Sequence, residues 1–183
     1  MGFRKGQGMN RIADMKEASG EFLARLLKNR VTDARACFDR EKRAFIYKFR
    51  NEIETLMGEK KEGENNLVIS VLYSSLVTGS NVYRISWYDE NIYLEGSPAS
   101  IYYSPEFLFR NLEEDVEKIR NYLRKSYIRL MEYEVEEVRR DYVGKLYHEG
   151  RPFFAEMING IGYGNINVWF GEYMNYVDFI GKV

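Results

Sequence analysis

The sequence predicts an α+β domain: an antiparallel sheet, made of a β-meander plus a C-terminal hairpin, packed with two long amphipathic helices in the order α-βββ-α-ββ. Three observations lead there. Residues 10–57 hold no proline and a single glycine, Gly20, and their apolar residues recur at helical spacing. From Leu67, short runs rich in Val, Ile and Tyr are separated by polar turns. Ser104-Pro105-Glu106 then opens a second long helical pattern, and alternating residues close the chain.

The first helical pattern carries Ile12, Met15, Phe22, Leu26, Leu27, Val31, Ala34, Phe38, Phe45, Phe49, Ile53 and Leu56, mostly on one stripe. The stripe lapses at Glu41 and Lys42, and Asn29 to Asp33 can cap a second helix and break the first. Unbroken, the helix is ~70 Å long at 1.5 Å per residue, so it must protrude, pair or bend. Gly58 to Asn66 reads as its exit loop.

Leu67 to Thr78 reads as a buried strand and Val82 to Tyr88, with Tyr83, Ile85 and Trp87 alternating, as a half-exposed one. Ile92 to Glu95 is the third strand and Ile101 to Tyr103 a short fourth. The three-residue turns between the first three fit an antiparallel meander.

Ser104 is placed to cap, Pro105 suits the first helical position, and Glu106 suits the positive helix end. The helix shows Leu108, Leu112, Val116, Ile119 and Leu123, slips by one residue, and resumes as Ile128, Met131, Val135, Val138, Tyr142 and Leu146. Gly144 or Gly150 ends it, Pro152 confirms the stop, and Phe153 to Asn159 adds a further turn or two. Ile166, Val168 and Phe170 then alternate, Gly171-Glu172 is a two-residue turn, and Tyr173 to Ile180 returns.

Length and composition fit a single domain over 1–183, with residues 1–8 as a mobile lead-in. The 45% apolar content suits a packed core, and the net charge of -1 points to neither a polyanion binder nor a polyanion mimic. Cys37 is the only cysteine, which excludes an intramolecular disulfide and a thiolate metal cluster. No secretion signal is expected, and no apolar run is long enough to span a membrane. Cytoplasm, no cofactor and no membrane partner are the expectations.

His148 is the only histidine, so Ser-His-Asp and Cys-His catalysis hinge on it; it sits where an imidazole suits a helix C-terminus. Cys37 reads as a small buried hydrophobe. Gly160, Gly162 and Gly164 have a helix before and a strand after, the reverse of a dinucleotide loop. Glu132, Glu134, Glu136 and Glu137 read as a solvated face, with Glu136 and Arg140 paired at i to i+4.

Charge blocking is the most suggestive feature. Residues 25–50 hold nine basic and three acidic groups, and residues 118–129 hold five basic groups and no acid. Lys118, Tyr122, Lys125 and Arg129 share one helical face, a basic-aromatic stripe suited to phosphate contacts and base stacking. Arg40, Lys42 and Arg43 flank it if the two helices run antiparallel. Fifteen tyrosines and eleven phenylalanines are a high load, and Tyr83, Tyr88, Tyr93, Tyr102 and Tyr103 concentrate in the sheet, where an uncovered face would want a partner.

Catalytic groups are thus scarce while interaction surfaces are plentiful. The expected function is a non-enzymatic protein-interaction or self-assembling helper whose partner is a protein or a second copy. The alternatives are a nucleic-acid or polyanion accessory protein using the basic helix faces, and an enzyme with a carboxylate and tyrosine cleft.

Overall fold

The computed structural model describes residues 5–58, 65–88, 99–162, 164 and 166–182. The chain begins with α1 (Lys5–Ala18) and α2 (Gly20–Met57). Ser19 separates them, its hydroxyl donating to the Met15 carbonyl at 2.6 Å. The 38 residues of α2 span ~57 Å. The expected break at Asn29 to Asp33 does not occur. The helix instead kinks at Glu41 (φ -114°, ψ 17°), where the apolar stripe lapses between Phe38 and Phe45.

The second long helix of the sequence reading is four pieces: α4 (Glu106–Phe109), α5 (Leu112–Ser126), α6 (Glu132–His148) and α7 (Arg151–Ile161). The one-residue slip in the apolar stripe marks the link Tyr127 to Met131, which folds α5 and α6 into a hairpin. A helix begins at Glu106 as expected, but the residue before it is Pro105 and Ser104 makes no side-chain cap.

Five strands form one sheet: β1 (Asn65–Val71), β2 (Tyr83–Tyr88), β3 (Ala99–Tyr103), β4 (Ile166–Glu172) and β5 (Val177–Lys182), in the order β3-β2-β1-β4-β5. The expected antiparallel sheet is in fact mixed, because β1 and β4 run parallel. A long connection carrying most of the helices joins β3 to β4, so β4 enters on the far side of β1 from β2. Three further expectations change. The segment Leu67 to Thr78 is strand only to Val71, then helix α3 (Tyr73–Thr78). The final hairpin does not turn at Gly171-Glu172: β4 runs through both, and the turn lies at 173–176 with Met174 at φ +60°. The expected strand Ile92 to Glu95, and Tyr93 with it, lie outside the described residues.

One face of the sheet packs on the helices. Leu67, Ile69 and Val71 of β1 share it with Tyr83 and Ile85, Tyr103, and Ile166, Val168 and Phe170, all buried. The core against them is aromatic. Phe38, Phe107 and Phe153 meet at ring distances of 5.0–5.3 Å, and Tyr83 lies 4.8 Å from Phe154. Gly150, where α6 passes into α7, permits this closeness: a Cβ there would lie 2.3 Å from the Tyr83 hydroxyl, which donates to the Tyr147 carbonyl at 2.6 Å.

Candidate functional site

The α5–α6 hairpin lies against the N-terminal half of α2. Phe22 and Tyr122 stack at 4.3 Å, and Arg30 meets Asp115. The pairing is antiparallel, the condition under which Arg40, Lys42 and Arg43 would flank the stripe, but its register separates the two basic groups. Arg40 lies ten residues beyond Arg30, ~15 Å farther along α2. The stripe is also divided. Lys118 is held by Asp115 at 3.1 Å, and Tyr122 is half-buried under Phe22. Lys125 and Arg129 are exposed, with Arg129 beyond the end of α5 at φ +56°. On α2, Arg40 pairs with Glu41 and Lys42 with Glu156, at 3.0 and 2.8 Å, while Arg43 is exposed. These three line an open recess of about 630 Å³ at the kink, built from α2 alone.

One buried carboxylate, Asp115, sits where α2, α5 and α6 meet. Its Oδ2 accepts from Arg30 Nε and the Tyr142 hydroxyl, both at 2.7 Å, and its Oδ1 from Lys118. Arg30 also donates to the carbonyls of Arg110 and Asn111. Burial opposes the charged carboxyl, but the hydrogen bonds from Arg30, Tyr142 and Lys118 outweigh it and hold Asp115 below the ordinary aspartate range. Burial, and then the bond to Asp115, push the Tyr142 phenol up. Both carboxylate oxygens are engaged, so the group clamps α2, α5 and α6 together. The sequence did hold a signal for this clamp: Arg30 sits four residues from both Leu26 and Ala34, and Asp115 lies within the stripe of Leu112, Val116 and Ile119.

The acidic run of α6 is likewise engaged. Glu136 pairs with Arg140 as expected, at 3.3 Å, and with Arg139. Glu134, however, is buried rather than solvated. Its Oε2 accepts from the Met131 backbone N–H at 2.8 Å, and its Oε1 lies 2.9 Å from Arg11 Nε. His148 closes α6 and lies 3.7 Å from Glu172 Oε1 on β4. Cys37 is buried. Gly162 caps α7 in the left-handed conformation, with helix before and strand after. Among the described residues, no group of three or more His, Cys, Asp or Glu is placed to hold a metal ion, and no helix is long and apolar enough to cross a membrane.

On the second face of the sheet, among the described residues, side chains gather without a helix over them. By register it forms three rows. Tyr102, Arg84, Ser70, Gly171 and Val177 make the first; Ser100, Ser86, Val68, Trp169 and Phe179 the second; Tyr88, Asn66, Asn167 and Lys182 the third. The centre is closed, with Asn66, Val68, Ser70 and Ser86 buried. Asn66 accepts from the Trp169 indole N–H at 3.0 Å. The flanks are open. Tyr102 is 65% exposed and Phe179 50%, the latter standing edge-on to Trp169 at 5.4 Å. At the hairpin turn Tyr173 lies over the Arg84 guanidinium at 4.7 Å, and Met174 and Tyr176 are 89% and 51% exposed.

Comparison with known proteins adds no assignment. No family model, no characterised protein and no solved structure matches the chain. The site must be read from its own chemistry.

Proposed function

We propose that this chain is a non-enzymatic interaction protein whose working surface is the second face of the sheet at the β4–β5 hairpin, and that its first partner there is a second copy of itself. The observation that carries the reading is the pairing of Trp169 with Phe179 and of Tyr173 with Arg84 on the second face, with the exposed Met174 and Tyr176 in the adjoining turn. Tyr, Trp, Phe, Met and Arg are the residues enriched at protein interfaces, while Lys, Glu and Asp are depleted there. Among the described residues, Arg84 and Lys182 are the only charges in the three rows, and Arg84 is tucked under Tyr173. Two such surfaces can meet without a dense like-charge clash. Among the described residues β5 pairs only with β4, so its outer edge adds a row of backbone donors and acceptors beside the patch.

The first helix, which unbroken would have to protrude, pair or bend, kinks at Glu41, and α5 and α6 fold back on each other, so helix length does not call for a second copy. The sheet face supports the reading instead. Light scattering across the micromolar range tests it. The average mass should rise from one chain towards two with concentration. A mass of one chain throughout would overturn the self-association.

A further inference from the structure

The link between α5 and α6 departs from what a turn requires. Residues 127–131 read Tyr-Ile-Arg-Leu-Met, with none of the Gly, Asn, Asp or Ser that ordinarily make turns. Arg129 occupies a left-handed position (φ +56°) that would suit Gly or Asn. Tyr127 and Leu130 pack inward against the core. Ile128 and Met131 face water, 88% and 54% exposed. Around them stand Arg124, Lys125 and Arg129, all exposed and without an ion-pair partner among the described residues.

This tip is held rather than loose. Buried Glu134 accepts the Met131 N–H and pairs with Arg11 of α1. Arg11 in turn donates through Nη2 to the carbonyls of Ile128 and Arg129, at 3.1 and 3.3 Å. A salt-bridged arginine from a distant helix thus fixes the backbone on both sides of the left-handed residue, and Ile128 stays pointed outward. The clamp keeps Ile128 and Met131 outward at a tip that carries Arg124, Lys125 and Arg129, while the neighbouring Glu132 is drawn to Arg120.

We propose that this tip docks peripherally on an anionic lipid bilayer surface, Ile128 and Met131 entering the acyl boundary and Arg124, Lys125 and Arg129 pairing with headgroup phosphates and carboxylates. The tip is convex, aliphatic and cationic. A bilayer offers an apolar phase beneath an anionic layer and so satisfies both features at once. Nucleic acid satisfies the charge but offers no aliphatic phase for Ile128 and Met131, which outnumber the one exposed ring beside them, Tyr133. The proposal departs from the expectation of no membrane partner by invoking the surface, not a span.

The test is sedimentation of the full chain with vesicles of phosphatidylcholine alone and of phosphatidylcholine mixed with phosphatidylserine. Binding is expected to the mixed vesicles, weakening as salt rises, with little to the neutral ones. Lys125→Gln and Arg129→Gln should each weaken it about fivefold, as one lost cation near an anionic surface implies. Ile128→Asp should weaken it about tenfold or more by removing the inserted chain and adding a repelled charge; Ile128 is outside the core, so folding is not at stake. Ile128→Trp should show blue-shifted emission on binding. Met174→Asp, on the sheet hairpin, should bind vesicles like wild type, which separates this site from the self-association surface. No binding to mixed vesicles at low salt, or equal binding to neutral ones, would overturn the proposal. So would binding indifferent to Ile128→Asp, which would make the tip a general polyanion site that single-stranded RNA should also occupy.

Discussion

Taking the negative charge from Asp115 would strand Arg30, which is buried beside it and pairs with no second carboxylate among the described residues. Asp115→Asn is therefore expected to cost about 3–5 kcal/mol, the range for breaking a buried ion pair by removing one partner. Tyr142→Phe removes a single hydrogen bond and should cost less, about 1–2 kcal/mol. Urea denaturation of both variants checks the order. The pH dependence follows from the depressed carboxyl. The folded value lies below the ordinary 3.8, so Asp115 contributes its full stability above that pH and loses it as pH falls through the folded value. Wild-type stability should drop on acidification through that window, and Asp115→Asn should flatten the drop. Ser104→Ala, which a capping serine would make cost ~1 kcal/mol, should instead fall within ~0.5 kcal/mol, because no side-chain cap is present. Residue identity showed where a helix starts here but not which group satisfies its first N–H donors. Arg30 and Asp115 were hidden for a related reason: a charge inside an apolar stripe looks like an interruption until its partner, 85 positions away, is brought beside it.

At the scale of elements, the sequence was informative wherever periodicity was local and uninformative wherever long-range packing decided. The start of helix near Pro105, the alternation through Tyr83, Ile85 and Trp87, and the lapse at Glu41 are local, and each left its mark. The division of α5 from α6 is a packing outcome. A one-residue slip in the stripe fits both a winding core and a hairpin, and Tyr127 to Met131 carries no turn residues to decide between them. The parallel pairing of β1 with β4 was out of reach, because it depends on where a connection of some sixty residues returns. Gly171 shows the same limit. It read as a turn residue, yet it is a strand residue where the hairpin closes, and a Cβ there would lie 2.0 Å from the Tyr176 carbonyl oxygen. Gly171→Ala must displace backbone. It is expected to cost about 1–3 kcal/mol and to speed hydrogen exchange in Val177 to Lys182 more than in β1, which mass spectrometry of the exchanged peptides would show.

At the scale of the molecule, the described helices collect on one side of the sheet, and the flanks of the other carry aromatic side chains. The basic groups that the sequence set side by side end on separate regions, Arg40, Lys42 and Arg43 at the kink of α2 and Lys125 with Arg129 at the hairpin tip. The tyrosines split likewise: Tyr83 and Tyr103 into the core, Tyr88 and Tyr102 onto the second face. Only the fold could make that division, since strand alternation sorts faces but does not say which face the helices cover. Sedimentation equilibrium of wild type beside the double variant Met174→Lys with Phe179→Lys tests the docking surface most directly. Both residues are exposed, so the variant should fold and unfold in urea like wild type. Wild type should fit a monomer–dimer equilibrium, and the variant, which sets two lysines against two lysines across the pair, should stay monomeric at the same concentrations. A variant that dimerises as tightly as wild type would contradict the assignment of this face.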